Sequence, residues 1–184
     1  MNVTLAWTPG AGSTSQTVQY KLATTTSWTT FSTVSGTTAT VNVTGLSDNL
    51  IYDFRISTAC NGGTTTFSPT VQKINIICPT VTITPASTSL SYSFPEIGGS
   101  VTTYAVKLFD STGSSELASQ TPTGTTTLTG TFSSLTASTT YKLRVVPTAG
   151  TITKTDCAFV TGVTSAPPTC NPPTSVTVEL TPET

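Results

Sequence analysis

The sequence predicts an all-β chain of two tandem seven-stranded β-sandwiches, the first without an opening strand of its own. Three observations carry this. Apolar residues alternate with polar ones over short runs, the period of half-buried strands. No stretch shows the helical period. One turn-and-strand motif occurs twice, as Gly45-Leu46-Ser47-Asp48-Asn49-Leu50-Ile51-Tyr52-Asp53-Phe54-Arg55-Ile56 and as Ser134-Leu135-Thr136-Ala137-Ser138-Thr139-Thr140-Tyr141-Lys142-Leu143-Arg144-Val145. In each copy a Leu is followed, six residues on, by a Tyr that opens an alternating strand. That spacing suits a chain turning over the end of a sandwich, with the Tyr ring buried and its hydroxyl bonded to the turn backbone.

In order, Val3, Leu5 and Trp7 form the first inward set, closed by Thr8-Pro9-Gly10. Val18, Tyr20 and Leu22 form the next, and Trp28 to Phe31 a short third strand. Ala39, Val41 and Val43 run into the first corner, and Tyr52, Phe54 and Ile56 leave it. Asn61-Gly62-Gly63 has hairpin-turn composition, so the last strand falls within 64–77. Cys78-Pro79-Thr80 opens a second unit, in which Val81 and Ile83 alternate up to Pro85. Leu90, Tyr92 and Phe94 follow, then Tyr104, Val106 and Leu108. Leu128 and Phe132 enter the second corner; Tyr141, Leu143 and Val145 leave it, with a last strand expected around 156–163. The expected division is 1–77, 78–166, and a tail of 167–184 holding a linker and a spare strand.

At these residues the chain resembles two fibronectin type III domains. The family pattern has a Trp near the end of strand B, a Tyr in strand C, and a Leu six residues before a Tyr at the corner between strands E and F. Trp7, Tyr20, Leu46 and Tyr52 take these places in the first unit. Phe94, Val106, Leu135 and Tyr141 take them in the second, two of the four being apolar replacements. The resemblance implies a fold and these fold-defining core residues. It implies little about activity, since such domains serve as adhesion modules, spacers and virion decoration.

The cysteines fall in two successive pairs, Cys60 and Cys78 about the first boundary and Cys157 and Cys170 about the second. Local pairing is expected, Cys60 with Cys78 and Cys157 with Cys170, each loop contributing about 3 kcal/mol where the surroundings oxidise. Free buried thiols are the alternative. The arrangement is similar to fibronectin-like repeats of Bacteroidetes surface proteins. A zinc site needs close Cys pairs or His, and the chain has no His.

The first unit begins at strand B, while the tail carries a surplus. Cys170-Asn171-Pro172-Pro173-Thr174-Ser175-Val176-Thr177-Val178-Glu179-Leu180-Thr181-Pro182 repeats the boundary Cys78-Pro79-Thr80-Val81-Thr82-Ile83-Thr84-Pro85. Two explanations fit: a tandem array divided one strand out of phase, or a tail strand, with Val176, Val178 and Leu180 inward, that completes the first unit of a neighbouring copy.

Charged residues make up 8% of the chain, against roughly 25% in an average domain, and Thr fills roughly a quarter. A neutral Thr/Ser coat is usual on extracellular or virion surfaces. Seven Lys and Arg with net charge −1 form no basic run, which argues against nucleic acid and anionic membrane as partners. No apolar run is long enough to span a bilayer. The N-terminal residues do not form a signal peptide. Without His, Ser-His-Asp and Cys-His chemistry is excluded. Asp48 and Asp53 are the nearest thing to a carboxylate pair, read as a turn cap and a solvated strand residue. Trp28 and Phe31 could present an aromatic platform to a sugar ring, or simply pack. The expectation is a non-enzymatic structural or assembly module with no catalytic residues, cofactor or metal. Its partners would be other copies, neighbouring domains, virion proteins or surface glycans. Its place would be a bacteriophage virion (head decoration, head fibre or tail), or else a secreted adhesin or filament, or a carbohydrate-binding spacer.

Overall fold

A computed structural model describes residues 1–61, 63 and 65–170. Val3, Leu5 and their polar neighbours form β1 (Val3–Ala6), which pairs with β4 (Thr40–Val43) as a two-stranded antiparallel ladder. Facing it lies a second sheet, β3 (Thr29–Ser35), β2 (Ser13–Leu22) and β5 (Tyr52–Cys60), with β6 (Thr66–Phe67) and β7 (Val71–Lys73) sharing the far edge of β5. The register places Val18 opposite Ile56, Tyr20 opposite Phe54 and Leu22 opposite Tyr52, so the apolar set of each strand shares one face. Val18, Val43, Leu46, Tyr52 and Phe54 are buried between the sheets.

The second unit repeats the plan with one strand more. β8 (Thr82–Pro85), β9 (Leu90–Pro95) and β12 (Thr127–Phe132) form a sheet ordered β12-β9-β8. Across from it lie β11 (Glu116–Gln120), β10 (Thr103–Phe109) and β13 (Thr140–Ala149), with β14 (Ile152–Thr153) and β15 (Val160–Val163) beyond. Leu90, Phe94, Val106, Leu108 and Leu143 are almost wholly excluded from solvent. Burying each such side chain stabilises the fold by about 2 kcal/mol.

Both corners take the expected form. The Tyr52 hydroxyl accepts the Ser47 N–H at 3.2 Å, and the Tyr141 hydroxyl accepts the Thr136 N–H at 3.1 Å. Their backbones match too. Gly45 and Ser134 precede the corner leucines with φ of 76° and 60°, and Asn49 and Ser138 follow them at 61° and 52°. Trp7, Tyr20 and Leu135 are partly buried against the cores; Leu46, Tyr52, Phe94, Val106 and Tyr141 are buried.

The cysteine pairing differs from the local one. Cys78 is bonded to Cys157, with their Cα atoms 5.5 Å apart, while Cys60 and Cys170 are free. Cys78 leads into β8 and Cys157 into β15, and these strands come together at the sheet edge. Proximity in the fold, not in sequence, selects the pair. β11 was not anticipated, because Glu116 to Gln120 carry no buried side chain to mark a period. Val176, Val178 and Leu180 lie outside the described residues.

The corner of the first unit also docks on the second. Asn49 Nδ2 donates to the Ile97 carbonyl at 3.1 Å, the Ser100 N–H donates to the Asn49 carbonyl, and the Ile51 N–H donates to Ser100 Oγ. Asn49 Oδ1 in turn accepts the Ile77 N–H at 2.9 Å. Ile51, Ile74 and Ile76 pack into the second core around these bonds.

Candidate functional site

The strand that distinguishes the two units leaves a site in the first. In unit two, β8 pairs with β9 and seats Val81 and Ile83 against the core. Ile83 also reaches the β15 side, where a Cβ on Gly162 would stand 3.1 Å from its methyl carbon. β8 thus closes the sandwich between its two sheets. In unit one, among the described residues, no strand pairs with the outer edge of β1. Leu5, Trp7, Phe54, Ile56, Pro69 and Val71 line the resulting cavity of about 370 Å³. A second hollow of about 410 Å³ continues it past Met1, Val3, Lys73 and Asn75. Val71, on the floor of this cavity, is 51% exposed.

The groove is shaped by local bonds. Trp7 Nε1–H donates to Gln16 Oε1, and Gln16, 1% exposed, donates from Nε2 to the Gly36 carbonyl at 3.2 Å. This buried clamp holds the indole at the groove wall. The free edge of β1 offers unpaired backbone N–H and C=O groups to whatever lies in the groove. Lys73 stands exposed on the opposite wall with no ion pair among the described residues. The arrangement can add a strand: it joins unpaired backbone, an apolar floor and a cation.

The other candidate residues lie elsewhere. Phe31 packs against the first core, whereas Trp28 is on the outer face, 4.1 Å beneath the Arg55 guanidinium, so the two form no common platform. Arg55 is stacked on its other side against Phe67, at 3.9 Å. Unit two repeats this with Arg144 at 3.8 Å from Phe159 and 5.8 Å from Phe109. These stacks were missed in sequence because their partners come from separate stretches of the chain.

Asp48 accepts from Asn75 Nδ2 at 2.8 Å. Asp53 is a correction to the solvated reading. It is 7% exposed, paired with Lys21 at 2.8 Å and bonded by Gln72 at 2.8 Å. Burial pushes its carboxyl up, but the bonds from Lys21 and Gln72 outweigh this and hold it below its ordinary value. Asp110 and Asp156 are likewise engaged, by Thr112 and by Lys154, which hold them low. Among the described residues no group of three metal-ligating side chains converges.

No family model and no curated protein matches the chain. Solved structures do. A two-domain fibronectin type III segment of chicken tenascin is similar over 90% of this chain and 92% of that one, with a TM-score of 0.59 and 13% identity. The FN1–FN3 domains of chicken CNTN1 match at 17% identity, covering 89% of this chain and 60% of that one, with a TM-score of 0.39. The tenascin likeness shows the fold: the chain is two tandem fibronectin type III-like sandwiches.

Proposed function

We propose that this chain is a non-enzymatic assembly module of a bacteriophage virion, a head decoration, head fibre or tail component, that joins its neighbours through the open edge of β1. One observation carries the reading: unit one has an apolar groove where unit two has a strand. Exposed sheet edges are normally blunted or covered, so an open edge over an apolar floor is suited to a partner. The neutral Thr/Ser coat fits a particle surface. Every aspartate is engaged in a structural bond, which fits a scaffold.

The Cys78–Cys157 bond favours a second reading, an adhesin or filament at a bacterial surface, since such bonds persist where the surroundings oxidise. Peptide mass spectrometry of purified virions and of cell envelopes separates the two. Enrichment in virions is the expected result. Enrichment in envelopes with none in virions overturns the virion assignment in favour of the surface one.

A further inference from the structure

Unit two shows what a strand in the groove of unit one looks like. Its β8 pairs Thr82 with Ser93, Ile83 with Tyr92, Thr84 with Ser91 and Pro85 with Leu90. The places of Leu90, Tyr92 and Phe94 are taken in unit one by Val3, Leu5 and Trp7. The ladders fix this equivalence: Val3 pairs with Val43 and Leu90 with Phe132, each three residues before its corner leucine. The tail repeats the seated strand, since Val178-Glu179-Leu180-Thr181-Pro182 matches Val81-Thr82-Ile83-Thr84-Pro85. A Pro in the last place leaves a strand pairing intact, as Pro85 does.

We propose that Val178–Pro182 of a second copy fills the groove of unit one antiparallel to β1, with Leu180 opposite Leu5 and Pro182 opposite Val3, joining copies head to tail. This rests on the open-edge reading above and names its partner. Lys73 occupies the place of Gly162, each opposite its corner tyrosine. A Cβ at Gly162 would stand 3.1 Å from Ile83, so the Lys73 stem faces the seat of Leu180 and swings aside as the strand enters. The strand comes from another copy because of reach. Ser165 bonds Ala86 and Ser138 at the pole of unit two remote from unit one. The donated strand enters at the far pole of unit one, by Trp7. Two ten-residue strands, β13 and β2, set that distance at about 65 Å. The thirteen residues from Ser165 to Val178 span at most about 45 Å.

The test uses the full chain with light scattering, and a synthetic peptide of residues 171–184. The wild-type chain is expected to form multimers that grow with concentration, and a Val178→Asp, Leu180→Asp chain to be monomeric with both units folded. The peptide should bind that monomer and raise its unfolding temperature. Lys73→Gly, which frees the seat of Leu180 as Gly162 does that of Ile83, should tighten the peptide roughly fivefold. Multimers that persist in the double variant, or a peptide that leaves unfolding of the monomer unchanged, overturn the proposal.

The free cysteines give a second readout. Cys60 pairs with Ser13 at the entry pole, and Cys170 leads the donated strand. With oxidised glutathione as oxidant, the two thiols form one disulfide between copies and their hydrogens reduce glutathione disulfide to two thiols. A ladder of linked multimers that is lost in the double variant supports the proposal; a ladder indifferent to those changes overturns it. Neither assay depends on where the chain resides. Virion enrichment with a non-binding peptide would therefore remove the tail as occupant while leaving the assembly module standing.

Discussion

Tyr52, Tyr141 and Tyr92 place three buried hydroxyls in two situations. The first two accept a backbone N–H at the corners. The third lies against Gly130, finds no partner, and burial pushes it up to about 12. Tyr52→Phe and Tyr141→Phe should each lower stability by about 1 kcal/mol in denaturant unfolding. Tyr92→Phe removes a desolvated, unpaired group and should leave stability unchanged or raise it. Asp53 sets an acid limit in the same way. Its folded carboxyl lies below the ordinary 3.8, so the unfolded chain takes up protons first as pH falls. Its contribution is complete above about pH 5 and fades as pH drops through 3.8 and below. Asp53→Asn should flatten that limb of a stability-against-pH curve and lower the plateau, because Lys21 then stays half-buried without its counter-charge.

At the scale of elements, β8 and β15 are clipped together by Cys78–Cys157, which closes a loop of 79 residues. Cys78→Ser should cost unit two about 4 kcal/mol, read as a fall in the temperature of the chain's coupled unfolding transition. The corners were legible in sequence because their signal is local: a Leu, a tight turn and a Tyr within seven residues. β1, β2, β9, β10 and β13 were legible because each buries one face. β11 was silent because an exposed strand carries no burial period, and its pairing with β10 is dictated from outside. The cysteine pairing and the burial of Asp53 were not legible for the same reason. Each depends on which strand lies across the sheet, and Lys21 is thirty-two residues from Asp53. The groove was half legible. Counting strands from the corners exposed the gap, but its apolar floor needed β7 and Pro69 in place.

At the scale of the molecule, the junction is a short set of bonds on Asn49 over shared isoleucines. Gly99, at φ 70°, lets the Asn49 carbonyl approach to 2.5 Å from where a Cβ would stand. Gly99→Ala should force the units apart, so that one coupled unfolding transition becomes two, with the Asn49 bonds lost. The disulfide has a further consequence when the chain is pulled from its ends. Tension entering unit two at Cys78 crosses directly to Cys157 and leaves through β15, so the strands between are bypassed. About 270 Å of contour stays hidden while that bond is intact. In a force-extension trace unit one should unravel to its full length and unit two should yield only a short step. The missing length should appear when a thiol reductant is added. Unit two would then act as an inextensible link, and unit one as the element that gives way under load.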